Sequence, residues 1–364
     1  MPEASAVTVP PPSTGTQPLR PARVSVVIAC YNYGHFLEQC VESALSQEDV
    51  CVDVTIVDDA STDDSAAVAE DLARRHGVQV RRHTQNAGYI ASYNELLGAA
   101  EGEFVVKLDA DDALPTGALA RATTLLRREP EVGFVYGRPY HFATGEPLPR
   151  AGRVRDWQVW PGHTWLERRC RTATNCISNP EVVMRRSVLQ EVGFFRPQLK
   201  HTCDFELWLR LAAAADVGRV RGPYQGCYRV HPESMQRTVN AGVMADIVGR
   251  RDAFRTFFSD LQWPEQDARR LEGLALSEVG RQALDAACRA YDRGRVEEGL
   301  QEELIAVAAT CDTGYQRSPE WRALQRRRRV GPRRAQYLPP FFLRAVQRRL
   351  QEEVGRLRWQ ATGW

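Results

Sequence analysis

The amino-acid sequence predicts an α/β fold, a mostly parallel sheet flanked by helices, followed by a helical C-terminal region. From Arg23 onward, short β-branched runs alternate with stretches whose apolar residues recur at helical spacing. Three of the runs end in polar or acidic clusters, and beyond about residue 240 strand-like runs cease. A βαβαβ rhythm of this kind implies right-handed crossovers between parallel strands.

The first run, Val24-Ser25-Val26-Val27-Ile28, is too continuously apolar for a half-exposed strand. Phe36, Leu37, Cys40, Val41, Ala44 and Leu45 then fall on one helix face. Val52 to Val57 is a second strand, ended by Asp58-Asp59, and Ser61 is the expected N-cap of a helix through Val68 and Leu72. Val78 to Val80 reads as a third strand, Ile90 to Ala100 as a helix, and Phe104 to Leu108 as a strand running into Asp109. Further helices are expected from near Pro115 and over Phe205 to Ala215. Beyond residue 240 come helices at Val243–Phe258, Glu265–Tyr291, Arg295–Ala309, Glu320–Arg329 and Phe342–Arg358.

Residues 1–22 are rich in Pro, Ser, Thr and Ala, carry no signal-peptide pattern, and read as a disordered tail. The chain thus divides into a tail at 1–22, an α/β domain at 23–240 and a helical accessory domain at 241–364. Among its 364 residues, 43% hydrophobic and 26% charged is soluble globular composition, with no apolar stretch long enough to cross a bilayer. Nine cysteines without CxxC spacing point to reduced thiols and a cytoplasmic protein. A net charge of +2 gives little long-range pull on nucleic acid, although Arg326 to Arg329, Arg333 and Arg334 concentrate positive charge near the C-terminus. That run is read as the solvated face of an accessory helix. The chain has two lysines, Lys107 and Lys200.

In an open parallel sheet, ligands bind beyond the carboxyl ends of the strands. Tyr31-Asn32, Asp58-Asp59 and Asp109-Ala110-Asp111-Asp112 all fall at such ends, so the fold gathers them at one edge. Asp-x-Asp on extended chain places two carboxylates on the same side, about 6–7 Å apart. Hard divalent cations suit that arrangement, because Mg²⁺ is commonly held by one or two carboxylates plus substrate phosphates. An acidic turn capping the next helix is the competing reading of Asp109 and Asp111.

These residues resemble the family 2 glycosyltransferases, which have the GT-A fold, a Rossmann-like sheet. The match reads Val26-Val27-Ile28-Ala29-Cys30-Tyr31-Asn32, Ile56-Val57-Asp58-Asp59-Ala60-Ser61-Thr62-Asp63, Asn86-Ala87-Gly88, and Lys107-Leu108-Asp109-Ala110-Asp111-Asp112. It continues in Asp204-Phe205-Glu206-Leu207-Trp208-Leu209-Arg210 and Tyr228-Arg229-Val230-His231, and so covers roughly residues 23–235. The resemblance implies a nucleotide-sugar site built from Tyr31, Asn32, Asp58, Asp59, Asn86, Gly88, Tyr93, Asp109 and Ala110. Asp58 and Asp59 would reach base and ribose, and Asp109 the ribose. Asp111, with His231 nearby, would hold Mg²⁺ or Mn²⁺ against the diphosphate. Asp204 is the implied catalytic base, taking the acceptor's hydroxyl proton as the new bond forms, with inversion at the anomeric carbon. As the N-cap of its helix, Asp204 also has a structural reading.

Three positions depart from the family pattern. Cys30 stands where a proline usually precedes Tyr-Asn, a small loss of loop rigidity. Tyr93 precedes Asn94 where an arginine is usual, exchanging a charged nucleotide contact for a ring that would stack on the base; this leaves the nucleotide open among UDP, which the resemblance favours by default, GDP and dTDP. Gly355 occupies the glutamine position of the Gln-x-x-Arg-Trp pattern before Arg358-Trp359, which argues against a processive polymer synthase. Asn179, Met184 and Arg185 fall where the family builds its acceptor pocket. Trp157, Trp160 and Trp165 precede them, as sugar-stacking faces or as core. Arg150 to Thr174 is the expected lid.

The sequence therefore predicts an inverting, metal-dependent, non-processive glycosyltransferase moving a sugar to an acceptor hydroxyl. A soluble metabolite or natural product leads over a cell-surface or lipid-linked glycan or a peptide. A non-catalytic nucleotide-sugar-binding scaffold is the rival that the retained Asp109, Asp111 and Asp204 argue against. The helical region is a candidate homodimer surface.

Overall fold

The computed structural model describes residues 6–10, 20–150, 152–234, 242–261, 263–335 and 337–362. Two compact units divide the chain. The first holds residues 1–166 and 177–234, and the second holds 167–176 together with 235–364.

In the first unit the elements run β1 (Val7–Val9), β2 (Ala22–Cys30), α1 (Gly34–Leu45), β3 (Val50–Asp58), α2 (Ser65–His76), β4 (Gln79–Arg82), α3 (Tyr89–Ala99), β5 (Phe104–Asp109) and α4 (Ala118–Arg128). The run continues with β6 (Val132–Tyr136), β7 (Pro139–Phe142), β8 (Asp156–Trp160), α5 (Gly162–Thr172), β9 (Val183–Arg185), α6 (Arg186–Val192), α7 (Cys203–Ala214), β10 (Asp216–Arg221) and β11 (Gly226–Arg229). Helix α5 carries the chain out of this unit.

Nine strands form one sheet in the order β1-β8-β10-β6-β9-β5-β2-β3-β4, and β11 pairs with β7 separately. The block β5-β2-β3-β4 is parallel throughout. The remaining strands enter through antiparallel pairings of β9, β8 and β1, with β10 parallel to β6, so the sheet as a whole is mixed. Both faces of the parallel block are covered: Val24, Val26, Val27 and Ile28 of β2 and Phe104 to Leu108 of β5 are all buried, which explains why these runs do not alternate. Phe36, Leu37, Cys40, Val41 and Ala44 form the buried face of α1, as their spacing predicts.

Several boundaries move. Helix α2 starts at Ser65 with Asp64 at its N-cap, not at Ser61, whose Oγ instead accepts the N–H of Asn32 at 3.0 Å. Within the expected tail, Val7–Val9 is a strand paired with β8 at the sheet edge, and Ala22 already belongs to β2; residues 1–5 and 11–19 lie outside the described residues. The first unit ends at Ser234, and the boundary read near 240 falls within residues 235–241, outside the described residues.

The second unit contains α8 (Val243–Asp260), α9 (Glu265–Asp292), α10 (Glu298–Cys311), α11 (Pro319–Val330), α12 (Pro332–Ala335) and α13 (Pro339–Thr362). Leu271, Ala275, Val279, Ala283 and Ala287 bury one face of α9. The segment 167–176 is held there by Arg270 on Glu167 at 3.4 Å, by Gln282 Nε2 on the Thr172 carbonyl at 2.9 Å, and by Arg250 on the Ala173 carbonyl. The arginine run is only partly a solvated face, since Arg327 is 1% exposed and its Nε lies 2.7 Å from Asp292 Oδ1. Among the described residues no helix is long and apolar enough to cross a membrane.

Candidate active site

Because β2, β3 and β5 are parallel neighbours, their carboxyl ends share one edge. Cys30 stands opposite Asp58, and Ala29 opposite Asp109. At roughly 4.8 Å per strand, the Asp58 and Asp109 backbones are about 10 Å apart, the span of a small ligand.

At the β3 end the two carboxylates are used differently. Asp59 accepts the N–H groups of Ala87 at 2.7 Å and Gly88 at 2.8 Å, and pairs with His83 Nδ1 at 2.7 Å. The other ring nitrogen of His83 lies 2.9 Å from Glu95 Oε2 on α3. Two carboxylates on one imidazole favour its doubly donating, charged form, so His83 is raised above its ordinary 6.5 by the Asp59 bond first and the Glu95 bond second. Burial works to raise Asp59, but the His83 bond and the two backbone N–H groups outweigh it and hold the carboxyl low. Gly88 has φ +88°, which lets the loop turn its N–H onto Asp59 before α3 begins. Asp58 is also buried, and its Oδ1 has no hydrogen-bond partner. Asn32, with φ +60°, ties the β2 and β3 loops together by accepting the Thr62 N–H at 2.8 Å. Tyr31 beside it is 45% exposed, and Asn86 is exposed.

At the β5 end, acidic groups crowd around one buried cation. Lys107 is 2% exposed; its Nζ lies 2.6 Å from Asp109 Oδ2 and under 5 Å from the Tyr89 and Tyr93 rings, at 4.8 and 4.7 Å. Asp109 Oδ1 accepts the Tyr93 hydroxyl at 2.9 Å, and Asn179 Nδ2 approaches Oδ2 at 3.4 Å. Asp204 lies in the first turn of α7, with Thr202 rather than Asp204 as the N-cap residue, and its Oδ1 accepts the Phe205 N–H at 2.7 Å. Burial raises the Asp204 carboxyl; the Phe205 N–H and the Lys107 charge oppose that, and the Asp109 charge adds to it. Asp204, Lys107 and Asp109 therefore share one electrostatic environment.

Beyond β5, Asp111 Oδ2 faces His231 Nε2 at 2.9 Å, joining two residues 120 positions apart. Burial, then the neighbouring Asp109, raises the Asp111 carboxyl. Asp112 is buried and raised further, chiefly by burial; its Oδ1 accepts the Arg229 N–H at 2.9 Å, and its Oδ2 has no partner. The Arg229 side chain is clamped between the Phe36 and Phe142 rings, 4.5 and 4.4 Å from their centroids, while Nε binds the Asp111 carbonyl at 2.6 Å. Ala110 is buried between the two carboxylates. Among the described residues no cluster of three or more His, Cys, Asp or Glu is arranged to hold a metal.

Four expectations are corrected. Tyr93 is 0% exposed and its hydroxyl bonds to the Leu108 carbonyl and Asp109, so its ring supports a carboxylate and offers no face for a base to stack on. Trp157 lies within β8 between β1 and β10 and is 1% exposed, a core residue and not a sugar platform. Arg185 spends its guanidinium on the carbonyls of Val132 and Leu126, bracing β9 and leaving the acceptor contact to others. The lid read over Arg150 to Thr174 likewise contains β8, an internal strand of the sheet.

Sequence reading passed over Lys107, His83 and Arg229 as site residues. A lysine inside an apolar strand, in a chain with two lysines, was a usable signal, since unpaired lysines are almost never buried. Glu206 and Arg210 were also legible only as motif letters. They pair at 2.8 Å, and Arg210 grips the carbonyls of Gly193 and Phe194, fastening the loop that leads to α7.

Residues 25–193 match the family described as "Glycosyl transferase family 2". An uncharacterized protein of Mycobacterium tuberculosis (strain CDC 1551 / Oshkosh) is 29% identical, across 67% of this chain and 78% of that protein. Chondroitin synthase of Escherichia coli is 27% identical over 56% of this chain, a match covering only 28% of that synthase. Among solved structures, S. aureus TarS 1–349 in complex with UDP-GlcNAc is similar in fold, with a TM-score of 0.54 at 15% identity over 81% of this chain and 92% of that one.

Proposed function

The chain, over the residues 25–193 that carry the match, belongs to glycosyl transferase family 2 and is a glycosyltransferase, and from that premise we propose an inverting, metal-dependent, non-processive transfer from a nucleotide-diphosphate sugar to an acceptor hydroxyl. The observation that carries this reading is the convergence of Asp58, the Asp109–Asp111 pair and Asp204 on one sheet edge from three separate parts of the chain.

Asp58 Oδ1, buried with no partner, suits a bound N–H or O–H donor such as a nucleobase, because an unsatisfied buried acceptor costs free energy that a ligand would recover. Asp59 holds the 86–88 loop beside it. The UDP-GlcNAc bound by TarS favours a UDP-sugar here, ahead of GDP- or dTDP-sugars. Asp111 and His231 are the residues that would hold Mg²⁺ or Mn²⁺, a donor set small enough to leave room for diphosphate oxygens. Such a cation would offset the charge developing on the departing nucleotide. Asp204 takes the acceptor proton; a buried carboxylate with a raised pKa is a stronger base than an exposed one. Lys107, 2.6 Å from Asp109, supplies a buried positive charge that opposes the rise of the Asp204 carboxyl.

A soluble metabolite or natural product remains the leading acceptor. The relationship to chondroitin synthase supports a second reading, a glycan acceptor extended by one sugar. The cytoplasm is the compartment proposed. The helical unit is read as the surface through which two copies pair.

Binding and hydrolysis of a panel of nucleotide sugars, with and without Mn²⁺, test the proposal directly. Asp111→Ala should abolish the Mn²⁺-dependent part of donor binding while leaving the fold's circular dichroism unchanged. Equal donor affinity in that variant would remove Asp111 from the metal site, and retention of the donor's anomeric configuration in the product, read by NMR, would end the inverting mechanism.

A further inference from the structure

We infer that two copies of this chain associate through α13, laid antiparallel about a two-fold axis at Leu350. The inference rests on the pairing reading above and assigns residues to it. Leu343, Val346, Leu350, Val354 and Leu357 are 64, 38, 62, 62 and 57% exposed, a concentration of large apolar side chains found nowhere else among the described residues. At 100° per residue these five fall within an arc of about 80° and span about 21 Å of helix. An arc that narrow is the seam of a helix–helix pair, whereas a helix lying on a membrane surface needs a broad apolar face carrying its aromatics. Phe341 stands about 180° from the centre of the stripe by the same count; it is buried, with the Arg327 guanidinium 4.4 Å from its ring centroid. One face of α13 is thus turned to its own unit and the stripe away from it.

The order of the stripe picks out the partner. Its spacings, 3, 4, 4 and 3, read the same from either end, with Leu350 at the centre. An antiparallel second copy therefore sets Leu343 against Leu357, Val346 against Val354 and Leu350 against itself, with no stripe residue left over. This is the self-complementary surface that a closed two-fold dimer requires. The flank agrees. Arg349 and Glu353 are both exposed on the same side of the seam. In the antiparallel register Arg349 of one copy lies about 3 Å along the axis from Glu353 of the other, giving two symmetric opposite-charge pairs. A parallel arrangement would set Arg349 against the other flank and lose both.

Light scattering on the full chain after size exclusion tests this. The wild type should have twice the monomer mass, and Leu350→Arg, which brings two charges together on the axis at a side chain 62% exposed in the single copy, should be monomeric with unchanged helicity. Arg349→Glu should weaken the dimer at least tenfold and Arg349→Glu with Glu353→Arg should restore it. Under oxidant, Leu350→Cys should add a cross-linked dimer absent from the wild type, while Leu343→Cys should not; cross-linking by both would overturn the antiparallel register. A monomeric wild type would overturn both the pairing reading and this inference. A dimeric Leu350→Arg would overturn this inference and leave pairing elsewhere in the chain standing. Vesicles rich in anionic lipid that capture the wild type but not Leu350→Arg, with both monomeric, would reassign the stripe to a membrane surface.

Discussion

The two ends of the candidate site hold carboxylates in opposite ways. Beside β3, Asp59 and Glu95 are surrounded by donors, and hydrogen bonding pulls both carboxyls low while pushing His83 up. Beside β5, burial outweighs the hydrogen bonds that Asp111, Asp112 and Asp204 accept, and pushes all three up. Saturated carboxylates shape a loop, because each of their oxygens already accepts a hydrogen bond. Carboxyls raised by burial are poised to take a proton or a ligand, at a cost in stability that the rest of the fold absorbs. The contrast separates scaffold from chemistry within a single sheet edge.

Substitutions at the two ends test that separation. The largest effect belongs to Asp204→Asn, which should leave donor affinity intact and lower kcat by about 10²–10⁴-fold, the usual worth of a general base. Because Asp204 acts ionised and burial raises it, wild-type turnover should fall on the acid side at a pH above that of an ordinary carboxyl at 3.8. Measured pH–rate profiles should show that limb lost in the variant, and unchanged turnover would remove Asp204 from the mechanism. Next comes Lys107→Met, which leaves Asp109 and Asp204 without their buried counter-charge. A loss of about 3 kcal/mol in urea unfolding is expected, because breaking a buried pair strands its partner, together with an acid limb moved to higher pH. A variant as stable as wild type would mean that the lysine is incidental.

The smallest effect should come from the saturated end. His83→Gln should cost on the order of 1 kcal/mol at neutral pH and below, with catalytic turnover nearly intact and the donor KM raised. The folded protein keeps His83 protonated to higher pH than the unfolded chain does, so its contribution is complete below about 6.5 and fades as pH rises through the raised value. Unfolding free energies measured across that range should slope downward in wild type and flatten in the variant. A kcat loss comparable to that of Asp204→Asn would collapse the distinction between the two ends.

Much of this arrangement was legible in the sequence. Apolar runs marked β2, β3 and β5 because strands buried on both faces cannot alternate, and the polar clusters after them had to share an edge once the strands were parallel. Side-chain direction was not legible. Trp157 and Arg185 were read toward an acceptor because they neighbour the right segment, yet in a strand one step decides between core and cleft. Tyr93 misled for another reason: its hydroxyl partner, Asp109, is sixteen residues away, and nothing local announces that the ring must sink to reach it. Ser61 likewise lost its expected cap to a bond with Asn32, twenty-nine residues earlier. Such long-range polar contacts leave no periodic trace. The β9, β8 and β1 pairings went unread because their strands are only three to five residues long.

The short stretch 167–176 interrupts the first unit's sequence while belonging to the second. The covalent path consequently passes from one body to the other, back, and over again, so no single scission frees either half intact. A truncation after Ser234 would leave Glu167, Thr172 and Ala173 without Arg270, Gln282 and Arg250. Transplanting the helical module onto a related enzyme would demand two grafts, one for 167–176 and one for the chain from 235 onward.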